Sequence, residues 1–207
     1  MKPIINHRHF SMAVMMHILS VFIVLLLTVN TAGAQKKWCA ELRSGVNFPA
    51  KKLGDANLKT GFGFKGNITY RIIPNLAAYA GWGWNQFSAN QSFAGNNVNF
   101  EETGYSFGLA YFLPIKNSVV NYMVRGGGIY NHIETENSSG KIINDTGHQL
   151  GWRLGTGITI PLTKNNKLFL IPEVSYRSLA GEIKTGDIAT SVHLRYVSAG
   201  VGLTYAF

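Results

Sequence analysis

From Trp38 to the carboxy-terminus, apolar residues alternate with small or polar ones. The last strand-length stretch shows this most cleanly. Val197, Ala199, Val201, Leu203, Tyr205 and Phe207 fall on one face, and Ser198, Gly200, Gly202, Thr204 and Ala206 on the other. A period of two marks a β-strand, because successive side chains point to opposite sides of the pleat. Eight such segments are legible: Trp38–Phe48, Thr60–Ile72, Leu76–Phe87, Phe100–Leu113, Val119–His132, His148–Ile160, Lys167–Ser178 and Val192–Phe207. Turn-forming residues bound each one. In the second, Phe62, Phe64, Ile68, Tyr70 and Ile72 oppose Gly61, Gly63, Lys65, Asn67, Thr69 and Arg71. In the sixth, Leu150, Trp152, Leu154, Ile158 and Ile160 oppose Gln149, Gly151, Arg153, Gly155, Gly157 and Thr159. Pro172 interrupts the seventh and predicts a bulge or local distortion, since proline has no N–H for the ladder.

The connections alternate in length. Residues 73–75, 114–118 and 161–166 are short; residues 49–59, 88–99, 133–147 and 179–191 are long. Short turns at one end and long loops at the other are the layout of an up-and-down barrel in an outer membrane. An even strand number returns both termini to the short-turn side. The expected fold is therefore all-β: an eight-stranded antiparallel up-and-down transmembrane β-barrel. Which face points inward follows from volume. An eight-stranded barrel has room for little more than its own side chains, so the aromatic set should face lipid and the glycine-rich, polar set the lumen. A charged content of 14% is meagre for the wetted exterior of a soluble barrel. Closure also satisfies every backbone polar group without water.

The amino-terminus reads as a targeting signal. Lys2 and Arg8 precede an almost wholly apolar run from Ser11 to Thr28, and Ala32-Gly33-Ala34 offers an A-x-A cleavage site before Gln35. Residues 1–34 are thus expected to be a cleaved signal peptide, and residues 35–207 one outer-membrane barrel domain. Cleavage removes two of the 19 basic residues and none of the 10 acidic ones, leaving a basic surplus. Those charges are scattered at strand spacing rather than clustered, which suits an anionic lipid surface better than nucleic acid. The one cysteine, Cys39, cannot close an internal disulfide.

The chain resembles the small outer-membrane β-barrel family, with OmpA-like and OmpX-like transmembrane domains as nearest models and a porin-family outer-membrane barrel domain as the general type. The signal with its Ala32-Gly33-Ala34 site, the eight alternating strands and Gly202-Leu203-Thr204-Tyr205-Ala206-Phe207 carry the resemblance. The last stretch is similar to the family's carboxy-terminal assembly signal, with Gly202, Tyr205 and Phe207 as its matching residues. The resemblance implies recognition by the barrel-assembly machinery, contact with outer-membrane lipid and lipopolysaccharide, and a monomer in the outer membrane. Gly200 departs from the polar residue that signal favours.

The inward set carries Arg43, Lys65, Arg71, Arg125, Arg153 and Arg177 against Glu41, Glu102 and Glu173. Isolated buried charges are costly, so a paired, structural charge network is expected in a plugged lumen. A small anion-preferring channel is the alternative. His132, His148 and His193 sit near the long-loop ends with no ligand-spaced pair and no carboxylate placed with them, so no metal site and no cofactor are expected. Ser191 and His193 share a strand face near Glu182 and Asp187, the ingredients of a lipid A-modifying enzyme. However, His193 is in register with the lipid-facing set and the deacylase signature His-x-Ser-Asn is absent. The expected role is therefore a non-catalytic surface scaffold that presents loops, with no particular loop ligand indicated.

Overall fold

The computed structural model describes residues 37–137, 139–185 and 188–207. The segment read as a signal peptide lies outside these residues, as does Asp187. Among the described residues nine strands run in order: β1 (Trp38–Pro49), β2 (Gly61–Ile73), β3 (Leu76–Ser92), β4 (Gly95–Pro114), β5 (Asn121–Glu136), β6 (Ile142–Asp145), β7 (Gln149–Pro161), β8 (Leu168–Thr185) and β9 (Ile188–Ala206). Eight form a ring of antiparallel neighbours, β1-β2-β3-β4-β5-β7-β8-β9, which closes where β1 pairs with β9. The short β6 is a ninth strand that the sequence pattern does not reveal. It pairs with the far end of β5, continuing the wall above the start of β7.

Turn chemistry sets one end of the ring. Ser118 N–H donates to Ile115 O at 3.0 Å, and Asn117 between them adopts a left-handed φ of 61°. Asn166, with φ of 51°, closes the turn after β7 through a bond to Thr163 O. Asparagine tolerates this region better than most side chains. At Pro172 the expected disturbance takes the form of a local gap in the ladder rather than a bulge. The β7–β8 register is the same on both sides of it, with no bulge, but the rungs between Gly157↔Glu173 and Ile160↔Leu170 are missing. The absent donor removes hydrogen bonds without moving the strand.

The strands are longer than a membrane requires. β3, β4, β8 and β9 hold 17 to 20 residues, whereas a tilted membrane strand needs about 9–11. Two stretches expected as loops, residues 88–99 and 179–191, are mostly strand. β3 and β4 pair out to Ser92↔Gly95, and β8 and β9 out to Thr185↔Ile188. The ring therefore projects well beyond the bilayer on the side away from the termini.

The pattern of burial changes along these strands. In the half near the termini, outward positions are large and exposed: Leu42, Phe64, Trp82, Tyr105, Phe107, Leu109, Tyr122, Trp152 and Leu203. Inward positions there are mostly glycine, small, polar or charged, with Tyr79, Met123 and Ile171 as the larger buried side chains. In the projecting half the assignment inverts. Outward positions are Gln86, Ser88, Asn99, Glu101, His132, Glu134, Glu182, Ser191 and His193. Inward positions are Phe87, Val98, Phe100, Ile129, Ile133, Leu179, Ile183, Val192, Leu194 and Tyr196, all at 2% exposure or less. The expectation that bulky side chains face only outward is corrected here. Where the exterior is water rather than hydrocarbon, the hydrophobic effect packs them inside.

The loop after β1 caps this apolar layer. Leu53 and Ala56 bond to each other across a tight turn in which Gly54 has φ of 61°, and both side chains are fully buried in the layer. Ala50 N–H to Arg195 O and Lys59 N–H to Ser88 O, each at 2.8 Å, anchor the loop at its ends. Asp55 accepts the Phe93 N–H at 2.7 Å, which ties the cap to the β3–β4 turn.

Close strand approach in the membrane half depends on particular glycines. Gly108 and Gly127 are cross-strand partners. A Cβ on Gly127 would lie 2.0 Å from Phe107 O and 2.6 Å from the Gly108 Cα. Both contacts are backbone, so no side chain can yield. Gly127→Ala is expected to destabilise the barrel by about 1–3 kcal/mol, measured by denaturant titration in lipid vesicles. Gly127→Leu should abolish the heat-modifiable folded band on a gel.

Candidate functional site

The lumen of the membrane half is filled by two charged layers. The lower one is a closed ion-pair circuit. Glu41 accepts from Arg43 Nε at 2.8 Å and from Arg125 Nη2 at 3.1 Å. Glu173 meets Arg125 Nε at 2.5 Å, Arg43 Nη2 at 3.4 Å and Arg153 Nη2 at 2.6 Å. Glu41–Arg43–Glu173–Arg125 is thus a ring of alternating charge joining β1, β5 and β8 across the lumen, with Arg153 of β7 attached. Asn67 adds a bond to Glu41 at 3.3 Å. The Tyr79 ring lies between Arg125 and Arg153, 5.7 Å from each guanidinium carbon, so its π face adds a cation–π contact to both.

The upper layer centres on Glu102. It receives Arg177 Nη2 at 3.1 Å, Asn131 Nδ2 at 2.6 Å, Asn85 Nδ2 at 3.2 Å and the Tyr196 hydroxyl. Arg177 also stands over the Tyr196 ring at 5.8 Å. Tyr196 reaches upward as well, packing edge-on against Phe87 at 5.0 Å. It joins the polar layer to the apolar one.

Of the nine charged residues expected in the lumen, seven meet in these pairs. Lys65 is buried but belongs to none of the ion pairs among the described residues. It borders a small polar cavity with Arg43, Asn47, Asn85, Ser175 and Ser198. Arg71 has the inward register but stands exposed at the mouth near the termini, because β2 runs on past the region where the opposite wall encloses it. Gly202 has a packing role. A Cβ there would lie 2.8 Å from Arg43 Nη2 and 3.2 Å from Glu41 Oε1, so the glycine makes room for the circuit. Tyr205 follows on the outward face as the partner of Ala40 and Leu168, and Phe207 comes immediately after β9.

The rim differs from its sequence reading. Ser191 and His193 both point outward on the projecting half. Their cross-strand partners are Glu182 and Ala180, and the His193 ring nitrogen Nδ1 lies 3.4 Å from Arg195 Nη2. No arrangement of nucleophile, base and orienting acid is formed among the described residues. His132, in contrast, does have carboxylates beside it. Its Nδ1 lies 3.1 Å from Asp145 Oδ1 and 3.7 Å from Glu134 Oε1, and its ring stacks on His148 at 4.5 Å. Sequence spacing missed this because Asp145 arrives on β6. The Glu134 neighbour was legible, being two residues away on the same strand face.

The lower circuit makes a testable demand. Removing Glu173 leaves Arg153 buried without an acidic partner, and leaves Arg43 and Arg125 to share Glu41 alone. Glu173→Gln is expected to cost about 3–5 kcal/mol, read from denaturant midpoints of the barrel folded into vesicles.

Comparison with known proteins agrees with this architecture. The chain is similar in fold to Neisserial surface protein A, at 14% identity over 85% of this chain and 100% of that one, with a TM-score of 0.58. It is also similar to OprG of Pseudomonas aeruginosa, at 12% identity over 83% of this chain and 97% of that one, with a TM-score of 0.55. Outer membrane protein W of E. coli matches at 15% identity over 81% of this chain and 97% of that one, with a TM-score of 0.51. No curated protein matches in sequence. The family model for the outer membrane protein β-barrel domain matches residues 22–207. With its ring of eight strands, its lipid-facing aromatic band and its charged lumen, the chain belongs to the outer membrane protein β-barrel domain family and is an integral protein of the bacterial outer membrane.

Proposed function

We propose that the protein is a closed, non-catalytic scaffold that holds its extracellular hairpins rigidly above the membrane for surface binding. The observation that carries this reading is the close-packed apolar layer inside the projecting half. Phe87, Phe100, Ile129, Ile133 and Tyr196 are at 1% exposure or less and are capped by Leu53 and Ala56. A water-filled conduit needs polar walls and open cross-section, and this layer offers neither. The charged circuit beneath is paired across the lumen rather than arrayed along a path. Both features favour the scaffold over the small-channel alternative.

The surface offered for binding is amide-rich. The cap loop and the β3–β4 turn frame a groove of about 790 Å³ lined by Asn57, Leu58, Lys59, Asn90, Gln91, Asn96 and Asn97. Side-chain amides both donate and accept, and a rigid barrel holds them without the entropy cost of a free loop. The reading includes removal of residues 1–34, with 35–207 as the mature domain. It also includes contact of the aromatic band with outer-membrane lipid and lipopolysaccharide, and passage through the barrel-assembly machinery. A monomer is proposed because ring closure leaves no open strand edge within the membrane.

Two measurements test this. The protein reconstituted in planar bilayers should show no conductance steps above the lipid background; steady, voltage-independent steps would favour a pore. Phe207→Ser should lower the amount of folded, heat-modifiable barrel in outer-membrane fractions several-fold while leaving refolding in detergent intact. Equal in vivo yield would remove the assembly signal from the reading.

A further inference from the structure

The outward face of the projecting half carries a charge arrangement that sheets ordinarily avoid. Glu101 of β4 is the cross-strand partner of Glu134 of β5, and Glu134 is in turn the partner of Asp145 of β6. Like charges placed directly opposite one another destabilise a sheet. Glu101 is engaged by Trp84 Nε1 at 2.8 Å and Gln86 Nε2 at 2.6 Å. Glu134 and Asp145 instead converge on His132.

Three donor atoms of kinds that bind metal ions are gathered here. One ligand atom from each of His132, Glu134 and Asp145 lies within 4.8 Å of the others. A tetrahedral ion held at about 2.0–2.2 Å by imidazole nitrogen and carboxylate oxygen separates its ligand atoms by about 3.3–3.6 Å. The His132–Asp145 and His132–Glu134 separations of 3.1 and 3.7 Å bracket that range. Two supporting contacts fix the donors in advance. Asp145 Oδ1 accepts the Gly147 N–H at 2.8 Å, and the His148 ring lies nearly parallel on His132, 14° between planes. The side chains are 15%, 21% and 44% exposed for His132, Glu134 and Asp145, so an ion has access from solution.

We propose that His132, Glu134 and Asp145 form a binding site for a divalent transition cation of the Zn²⁺ class, with water completing the shell. Imidazole selects such an ion over Mg²⁺ and Ca²⁺, which prefer all-oxygen sites. The ion neutralises the acidic row and clips β6, with the segment that leads into β7, onto β5. The pairing of β6 with β5 covers only three rungs, with a register shift among them, so this clip falls where the wall is least secured.

The test is calorimetric titration of the folded barrel in detergent micelles with ZnCl₂. It uses a Cys39→Ser background, which removes the one thiol. One Zn²⁺ per chain is expected, with Ca²⁺ and Mg²⁺ at least about tenfold weaker. His132→Ala and Asp145→Asn should each weaken Zn²⁺ binding by at least about tenfold, with folding checked by heat-modifiable migration. His193→Ala, a rim histidine on β9, should leave affinity unchanged. If either variant misfolds, Glu134→Gln is read in its place with the same expectation. No Zn²⁺ binding by the folded protein, or full affinity retained in a folded His132 or Asp145 variant, overturns the assignment.

Discussion

Ring closure between β1 and β9 is the constraint from which the rest of this protein follows. The pairing runs from Cys39↔Ala206 to Pro49↔Tyr196 without a register shift. Within hydrocarbon no water replaces a missing hydrogen bond, so an open edge there would leave a row of unsatisfied backbone groups. Once the edge is closed, the circumference is fixed, and with it the narrow interior. That narrowness leaves room for few large side chains opposite lipid, Tyr79 and Met123 among them, and the rest of the lumen is filled by glycine backbones, polar side chains and charges that pair across it. The Gly108–Gly127 approach and the space Gly202 leaves for Arg43 are two expressions of the same crowding.

The second organising element is the change of solvent along each strand. Lipid lies outside one half and water outside the other, while the backbone ladder continues unchanged. The same face stays inward throughout, and it is the chemical character of the two faces that exchanges. Tyr196 sits at the exchange point, with its hydroxyl on Glu102 and its ring against Phe87. Below it the interior is an ion-pair circuit that locks opposite walls together. Above it the interior is a hydrophobic core like that of a soluble barrel. The upper core packs the projecting hairpins from inside, so that they continue the wall rather than running as free loops.

Legibility in the sequence followed this division. The membrane half was readable strand by strand, because hydrocarbon demands an uninterrupted apolar face and a tight lumen demands glycine. Glu41, Arg43, Arg125 and Glu173 could be assigned to one interior from parity alone. Their mutual geometry could not, since it depends on which strands stand opposite one another. Arg71 shared the parity but not the enclosure. In the projecting half the same face stays inward but its chemistry reverses: Phe87, Phe100 and Leu194 share parity with Asn85, Glu102 and Ser198 inside the ring, yet their bulk reads as lipid-facing. Residues 88–99 and 179–191 read as loops because their outward positions are polar, as the outside of a strand in water should be. His132 and Asp145 meet only because β6 folds back onto β5, a pairing that four residues of sequence do not announce.

The amino-acid sequence by itself determined the architecture: alternation with period two, eight segments, short turns against long connections, and an aromatic face too bulky for the inside of so small a ring. These are local or summed properties, set by pleat geometry and by side-chain volume. The tertiary structure decided what is long-range. It set where along each strand the interior changes from ionic to apolar, which acids meet which arginines, how the first loop seals the top, and which carboxylates gather around one histidine. Those outcomes depend on register across strands far apart in the chain, and register is fixed only when the ring closes.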